Sequence, residues 1–133
     1  MQRLTISIDD NLAADFEVLI EQRGYENRSE AFRDMVRREL GEQTLQLSPQ
    51  AACAATLTYV YDHHERTLAA RLTDKQHNHH ELTVSSMHAH LAHDLCMETV
   101  ILKGPADEVR HFAESMLAQR GVRHGHLHLV PLG

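Results

Sequence analysis

The amino-acid sequence predicts an α+β protein of two domains, a short strand-helix-helix segment followed by a longer βαββαβ segment. Residues 3–8 alternate between polar and apolar side chains and lead into two amphipathic helical patterns. Residues 53–130 contain short apolar runs typical of strands, separated by helical patterns. We therefore expect domains at residues 1–45 and 53–133, joined by a linker at residues 46–52.

Length and composition place the chain among ordinary globular proteins. It has 133 residues, of which 42 % are hydrophobic, and no apolar run approaches the roughly 18 residues that a membrane helix requires. The N-terminus lacks the apolar core of a secretory signal, so we expect a cytoplasmic protein with no membrane partner. Two cysteines, Cys53 and Cys96, are too few for a disulfide framework, which predicts reduced thiols.

The net charge bears on possible DNA contact, and the histidine content bears on metal binding. The formal net charge of -6 argues against a generally basic nucleic-acid binder, so any DNA contact must come from local placement of charge. The chain has 12 His, clustered most densely between His77 and His93, and neutral imidazole is the commonest metal ligand. A purification tag would form an unbroken terminal run, whereas these residues alternate with apolar ones inside the chain.

The first domain should begin with a strand at residues 3–8 and continue as two helices. Asp9 or Asp10 can cap the first helix, and Gly24 suits the left-handed position that ends it. Asn27, with Glu30 three residues later, resembles a capping box for the second helix. We expect that helix to end before Gly41, because the apolar pattern lapses there.

So small a unit predicts an obligate dimer, since a lone strand has nothing to pair with. Two copies can form a ribbon-helix-helix arrangement whose antiparallel ribbon fits a DNA major groove. Its outer face would present the base-reading residues Arg3, Thr5 and Ser7. The start of the second helix suits a DNA phosphate, which would be contacted by Asn27, Arg28, Ser29 and Arg33. Alternatively, Arg3 is an ordinary exposed strand residue and Asn27 only a helix cap.

The second domain is predicted to be ferredoxin-like or ACT-like, from the order βαββαβ. Strands are expected at residues 53–61, 81–91, 96–103 and 122–130. Helices are expected at residues 65–76 and 105–119.

A metal site is predicted where two of these strands meet. His88 and His90 are two residues apart, so their side chains leave one face of a strand, and a short turn returns Cys96 beside His90 on the next strand. A fourth ligand from the group His77, His79 and His80 would lie more than 20 Å away along an extended strand, at roughly 3.3 Å per residue. It should therefore come from a symmetry-related chain. Such a ligand set suits square-planar Ni(II) or tetrahedral Zn(II).

Over essentially its whole length, the chain resembles a known family. The segments MQRLTISIDD, RGYENRSEAFRD, QHNHHELTVSSMHAHLAHDLCME and QRGVRHGHL are similar to the nickel-responsive regulators called NikR. The resemblance implies a homotetramer, a dimer of dimers, that represses nickel-uptake genes by binding a palindromic operator on double-stranded DNA.

The resemblance also implies the ligand set. One square-planar Ni(II) per subunit would be held by His88, His90 and Cys96 of one subunit and His77 of another. Glu30 and Asp34 match positions that help to bind a second, alkali-type cation. Ser7 departs from the family pattern, in which threonine is usual at this position.

Two other functions remain open from the sequence. The histidine-rich domain could serve a nickel or transition-metal storage or delivery protein, with the N-terminal segment only dimerising. A Cys-His hydrolase with Cys96 activated by His90 would need an oxyanion hole, and the sequence near Cys96 offers none. Glu98 is expected to orient a ligand histidine. The sequence assigns no role to His63 or His64, and the face carrying His124, His126 and His128 is either a weaker metal site or an exposed polar face.

Overall fold

The fold is described from a computed structural model. It describes the backbone of residues 1–133 and every side chain except those of Leu47 and Arg66. Two compact units are present, Met1–Leu40 and Gly41–Gly133. No helix in the described part of the chain is long and apolar enough to cross a membrane.

The first unit contains helix α1, Asp10–Arg23, and the beginning of helix α2, Arg28–Leu47. The Asp9 carboxylate accepts a hydrogen bond from the Leu12 N–H at 2.9 Å, which is the N-cap contact that the sequence predicts. Gly24 ends α1 with a φ of 74°, in the left-handed region that favours glycine. Asn27 Oδ1 accepts from the Glu30 N–H at 2.8 Å and so caps α2.

Residues 1–9 form no strand within the single chain, although their alternation predicts one. A strand needs a neighbour to satisfy its backbone groups, and the described sheet contains no segment of the first unit. The apolar side chains of this segment are correspondingly exposed, by 72 % at Leu4, 57 % at Ile6 and 44 % at Ile8.

The end of α2 differs from the expectation. The helix passes Gly41 and continues to Leu47, so the first residues of the expected linker are helical. The reason is tertiary packing in the second unit: Leu45 is only 3 % exposed in the core, and the Arg110 guanidinium donates to the Leu45 carbonyl at 3.2 Å. A Cβ atom at Gly41 would lie 3.2 Å from Pro131 Cγ, so glycine permits this close approach.

The second unit confirms the predicted βαββαβ order. Its elements are β1 Ala52–Asp62, α3 Arg66–Asn78, β2 Thr83–His90, β3 Leu95–Pro105, α4 Ala106–Leu117 and β4 Arg123–Pro131. The four strands form one antiparallel sheet in the order β2-β3-β1-β4, which is the ferredoxin-like topology.

The core of the second unit lies on one face of this sheet. Alternate residues of β1 and β3 are buried, among them Leu57, Tyr59 and Val100 at 0 % exposure. Phe112 of α4 packs into the same cluster and is 2 % exposed. The intervening residues of β2 and β3 include exposed apolar side chains, among them Met87, Met97 and Ile101.

Candidate metal centre

Three of the predicted ligands lie together at one end of the β2-β3 pair. His88 is in register with Glu98, and His90 with Cys96, so the four side chains share a face. Cys96 Sγ lies 3.4 Å from His90 Nδ1, and the rings of His88 and His90 have centroids 5.0 Å apart. The turn between the two strands therefore places the thiol beside its imidazole neighbour, as the spacing predicts.

The fourth predicted ligand is not part of this cluster. His77 lies in the last turn of α3 and is exposed. Among the side chains that the structure describes, the group whose ligand atoms all lie within 4.8 Å of one another is His63, His90 and Cys96. Of the predicted ligands, this group contains His90 and Cys96; His88 lies on the same face beside His90, and His77 lies apart on α3.

A buried carboxylate, that of Glu98, lies beside the His88 ring. Glu98 is 8 % exposed and accepts a hydrogen bond from the Tyr59 hydroxyl at 2.7 Å and another from the Gln76 side-chain amide. His88 Nδ1 lies 3.4 Å from Glu98 Oε2 and 3.1 Å from the Tyr61 hydroxyl oxygen. An Nδ1–H directed at Glu98 leaves Nε2 as the ring nitrogen available to a metal ion, which is how carboxylates orient ligand histidines.

The electrostatics of the cluster favour a protonated thiol in the absence of metal. Burial raises the pKa of Cys96, and the nearby carboxylates of Asp62 and Glu98 raise it further. Burial and the Glu98 charge likewise raise the pKa of Tyr61 to about 12, so its hydroxyl remains a hydrogen-bond donor. A metal ion binding here must displace the Cys96 proton. One thiolate and several neutral imidazoles form a donor set that fits Ni(II) or Zn(II).

Sequence reasoning missed His63 and interpreted Tyr59 and Tyr61 only as core or interface residues. Tyr59 and Tyr61 alternate at the end of β1, in register with Glu98 and Cys96, and His63 follows the strand two residues after Tyr61. The His63 ring is 4.8 Å from that of His90. Burial, together with the adjacent imidazoles of His64 and His90, lowers the pKa of His63 and favours its neutral, ligating form. The two-residue period of β1 was the available signal.

The proposed DNA-contacting residues lie in the first unit. Arg3, Thr5 and Ser7 are exposed in the unpaired segment 1–9. Ser29 and Arg33 are exposed near the start of α2, and Arg28 forms an ion pair with Glu17 of α1. These placements leave the side chains of Arg3, Thr5, Ser7, Ser29 and Arg33 accessible to solvent.

The proposed second-cation residues lie one helical turn apart on α2. Glu30 and Asp34 are both half-buried. Asp34 Oδ1 is 3.5 Å from Arg37, and hydrogen bonding to Asp34 raises the pKa of Tyr25.

Comparison with known proteins agrees with both units. Residues 54–130 match the family model described as the NikR C terminal nickel binding domain, and residues 2–43 match the ribbon-helix-helix, copG family model. Among solved structures, an uncharacterised protein of Thermotoga maritima is similar, with a TM-score of 0.50 and 19 % identity, over 62 % of this chain and 99 % of that one. This likeness concerns the fold alone.

Curated relatives match over almost the full length. A nickel-responsive regulator of Brucella abortus biovar 1 is 50 % identical, and one of Brucella melitensis biotype 1 is 49 % identical. In both cases the match covers 99 % of this chain and 100 % of the relative. With a ribbon-helix-helix segment, a nickel-binding domain and relatives of this similarity, the chain belongs to the NikR family of nickel-responsive regulators.

Proposed function

We propose that this chain is a nickel-dependent transcriptional repressor that binds a palindromic operator of nickel-uptake genes when Ni(II) occupies an inter-subunit site of three histidines and one cysteine. The observation that carries the proposal is the 3.4 Å approach of Cys96 Sγ to His90 Nδ1, with His88 on the same face. Thiolate and imidazole together suit Ni(II) in square-planar geometry.

The fourth ligand is assigned to another subunit. His77 is exposed at the end of α3, while the cluster on β2 and β3 lies at the opposite end of the intervening strand from that helix terminus. A symmetry-related chain running in the opposite direction would bring its own His77 to this cluster. With this assignment we propose one Ni(II) per subunit and, as the family resemblance implies, a homotetramer arranged as a dimer of dimers.

DNA binding is assigned to a dimer of the first unit. Exposed Leu4, Ile6 and Ile8 become buried if two copies of residues 1–9 pair as a ribbon. The alternate side chains then face a major groove, where Arg3 can bind a guanine edge and Thr5 and Ser7 can contact neighbouring bases.

The helix N-terminus at Asn27, Arg28 and Ser29, with Arg33, would contact phosphates and set the position of the ribbon. A secondary cation at Glu30 and Asp34 is part of the same proposal.

Nickel would act by stabilising the assembly that binds two half-sites. Because the bound ion links two subunits, it favours the arrangement in which the partner's His77 is in place. A coupling free energy of about 1–3 kcal/mol would strengthen operator binding roughly 5- to 150-fold, and DNA would strengthen nickel binding by the same factor.

The test is a gel-shift titration with operator DNA, with and without Ni(II), on the full chain and on Cys96→Ala. We expect nickel to tighten binding for the full chain and to have no effect on Cys96→Ala. Cys53→Ala is the matched control, because Cys53 is also a buried cysteine but lies at the start of β1. Unchanged nickel dependence in Cys96→Ala would refute the assigned site, and equal affinity with and without nickel would refute the coupling.

A storage or delivery protein is the second candidate, favoured by the 12 His. It would bind nickel without a specific operator, so footprinting on genomic fragments separates the two functions. A Cys-His hydrolase is disfavoured because burial raises the pKa of Cys96, whereas a nucleophilic thiol needs a lowered pKa. We therefore assign no enzymatic activity.

A further inference from the structure

Two exposed histidines that the proposed nickel site does not use lie side by side at one end of the second unit. His64 belongs to the loop between β1 and α3, and His93 to the turn between β2 and β3. Their rings have centroids 5.0 Å apart and planes inclined at 54°. The pair therefore joins two loops that are distant along the chain.

Strand pairing brings these two loops together. β1 and β3 are antiparallel neighbours, and Asp62, the last residue of β1, is in register with Leu95, the first residue of β3. The loop that follows β1 and the turn that precedes β3 therefore lie at the same end of the sheet. The Asp62 carboxylate also accepts a hydrogen bond from the His64 backbone N–H at 2.9 Å, which holds the start of the loop in place.

The spacing of the two rings suits a shared metal ion. Imidazole nitrogens bind transition metals at about 2.0–2.1 Å, so two imidazoles on one ion, at right or tetrahedral angles, have centroids roughly 4.5–5.2 Å apart. The observed separation of 5.0 Å lies within this range. Both side chains are exposed, and neither imidazole has a hydrogen-bond or ion-pair partner among the residues that the structure describes. Their ring nitrogens are therefore accessible to an ion from solution.

We propose that His64 and His93 form a separate metal site, which binds a divalent transition-metal ion through two imidazoles and completes its coordination with water. Imidazole suits Ni(II) and Cu(II), and the affinity of nitrogen ligands rises from Ni(II) to Cu(II). The site shares no ligand with the proposed inter-subunit nickel site and needs no residue of a second subunit. It can therefore be occupied whether or not that other site holds Ni(II).

The test counts the Ni(II) ions bound per chain by equilibrium dialysis of the full chain and of His64→Gln, His93→Gln and the double variant. Each single variant should bind this Ni(II) at least about 10-fold more weakly, because two ligands held together bind at least this much more tightly than one. At a free Ni(II) concentration that just fills the site in the full chain, each should therefore bind fewer ions. The double variant should lose no more Ni(II) than either single variant, since residues that share one ion do not act independently.

The matched control is His111→Gln, which removes an exposed imidazole of α4 and should retain the Ni(II) that the other variants lose. Unchanged Ni(II) binding in His64→Gln and His93→Gln would overturn the proposal, as would losses that add in the double variant.

The thiolate-to-nickel charge-transfer absorption separates this site from the proposed function. It should be the same in the full chain and in every variant, because none of them removes a ligand of the site that contains Cys96. A loss of this absorption in His64→Gln or His93→Gln would assign that histidine to the thiolate site and overturn the proposal. An absence of the absorption in the full chain would instead refute the proposed nickel site, while the dialysis result would still decide the site of His64 and His93.

Discussion

The two units of the chain differ in how much of their apolar surface they bury. In residues 41–133 a continuous cluster, including Leu57, Val100 and Phe112, is almost fully buried. Among the described side chains of residues 1–40, the buried hydrophobic ones are Ile20 and Ala31. Since burial of apolar surface is the main force that stabilises a fold, the second unit can form its own core, whereas the first buries little apolar surface by itself.

Because of this difference, association with another copy of the chain would have a different role in each unit. In the first unit, association would supply the missing hydrophobic core and the missing strand partner. In the second unit the core is complete, and association would supply a ligand.

Truncation of Phe112 should have the largest effect on stability. The ring is 2 % exposed in the second unit, and Phe→Ala in a core costs about 3–5 kcal/mol. We expect Phe112→Ala to lower the free energy of unfolding by that amount in urea titration. Leu132→Ala, at a side chain that is 48 % exposed, is the control. Equal losses in both variants would contradict a self-sufficient core.

Truncation of Ile6 should act through association. The side chain is 57 % exposed in the single chain, so its truncation would change the stability of a monomer little. If the side chain is buried in a dimer, its truncation would cost about 2–5 kcal/mol. Sedimentation of Ile6→Ala should show a weaker dimer, with exposed Gln22→Ala as control. A dimer of undiminished affinity would argue against the paired ribbon.

Neutralising Glu98 should weaken nickel binding without removing a ligand. Glu98→Gln keeps the size of the side chain but removes the charge beside His88 Nδ1. Loss of such an outer partner typically lowers metal affinity by about 10- to 100-fold. Chelator competition measures this, with exposed Glu114→Gln as control. A change in nickel affinity of less than twofold would show that Glu98 does not support the metal site.

Nickel affinity should rise with pH. The pKa of Cys96 is raised by burial, so its thiol is protonated near neutrality and must lose a proton when metal binds. Each released proton makes the affinity rise about tenfold per pH unit below that pKa, and fall equally as pH decreases. Chelator competition between about pH 6.5 and 8 should give a slope of at least about one from this thiol. A flat profile would mean that Cys96 is not a ligand.

Removal of the α1 cap should have the smallest effect. Asp9→Ala deletes the carboxylate that accepts from the Leu12 N–H, and loss of an N-cap costs about 1 kcal/mol. Urea titration should show this loss, while Asp15→Ala, on the exposed surface of α1, should change little. A larger loss from Asp15 than from Asp9 would contradict the cap.

Much of the second unit was predictable because periodicity is local. Alternation along β2 and β3, with the short turn between them, predicted that Cys96 lies beside His90, and the register confirms it. The expected end of α2 before Gly41 was wrong, because Leu45 is held in helical structure by the core and by Arg110. Neither contact leaves a periodic signal near Gly41.

The sequence by itself determined the order of elements in the second unit, the caps of both N-terminal helices and the shared face of His88 and His90, since all of these depend on residues close along the chain. Only the tertiary structure decided that His63 lies within ligand distance of His90 and Cys96, and that Gln76 reaches Glu98. The physical reason is that strand pairing and helix packing bring these side chains together across long stretches of chain, where no sequence period connects them.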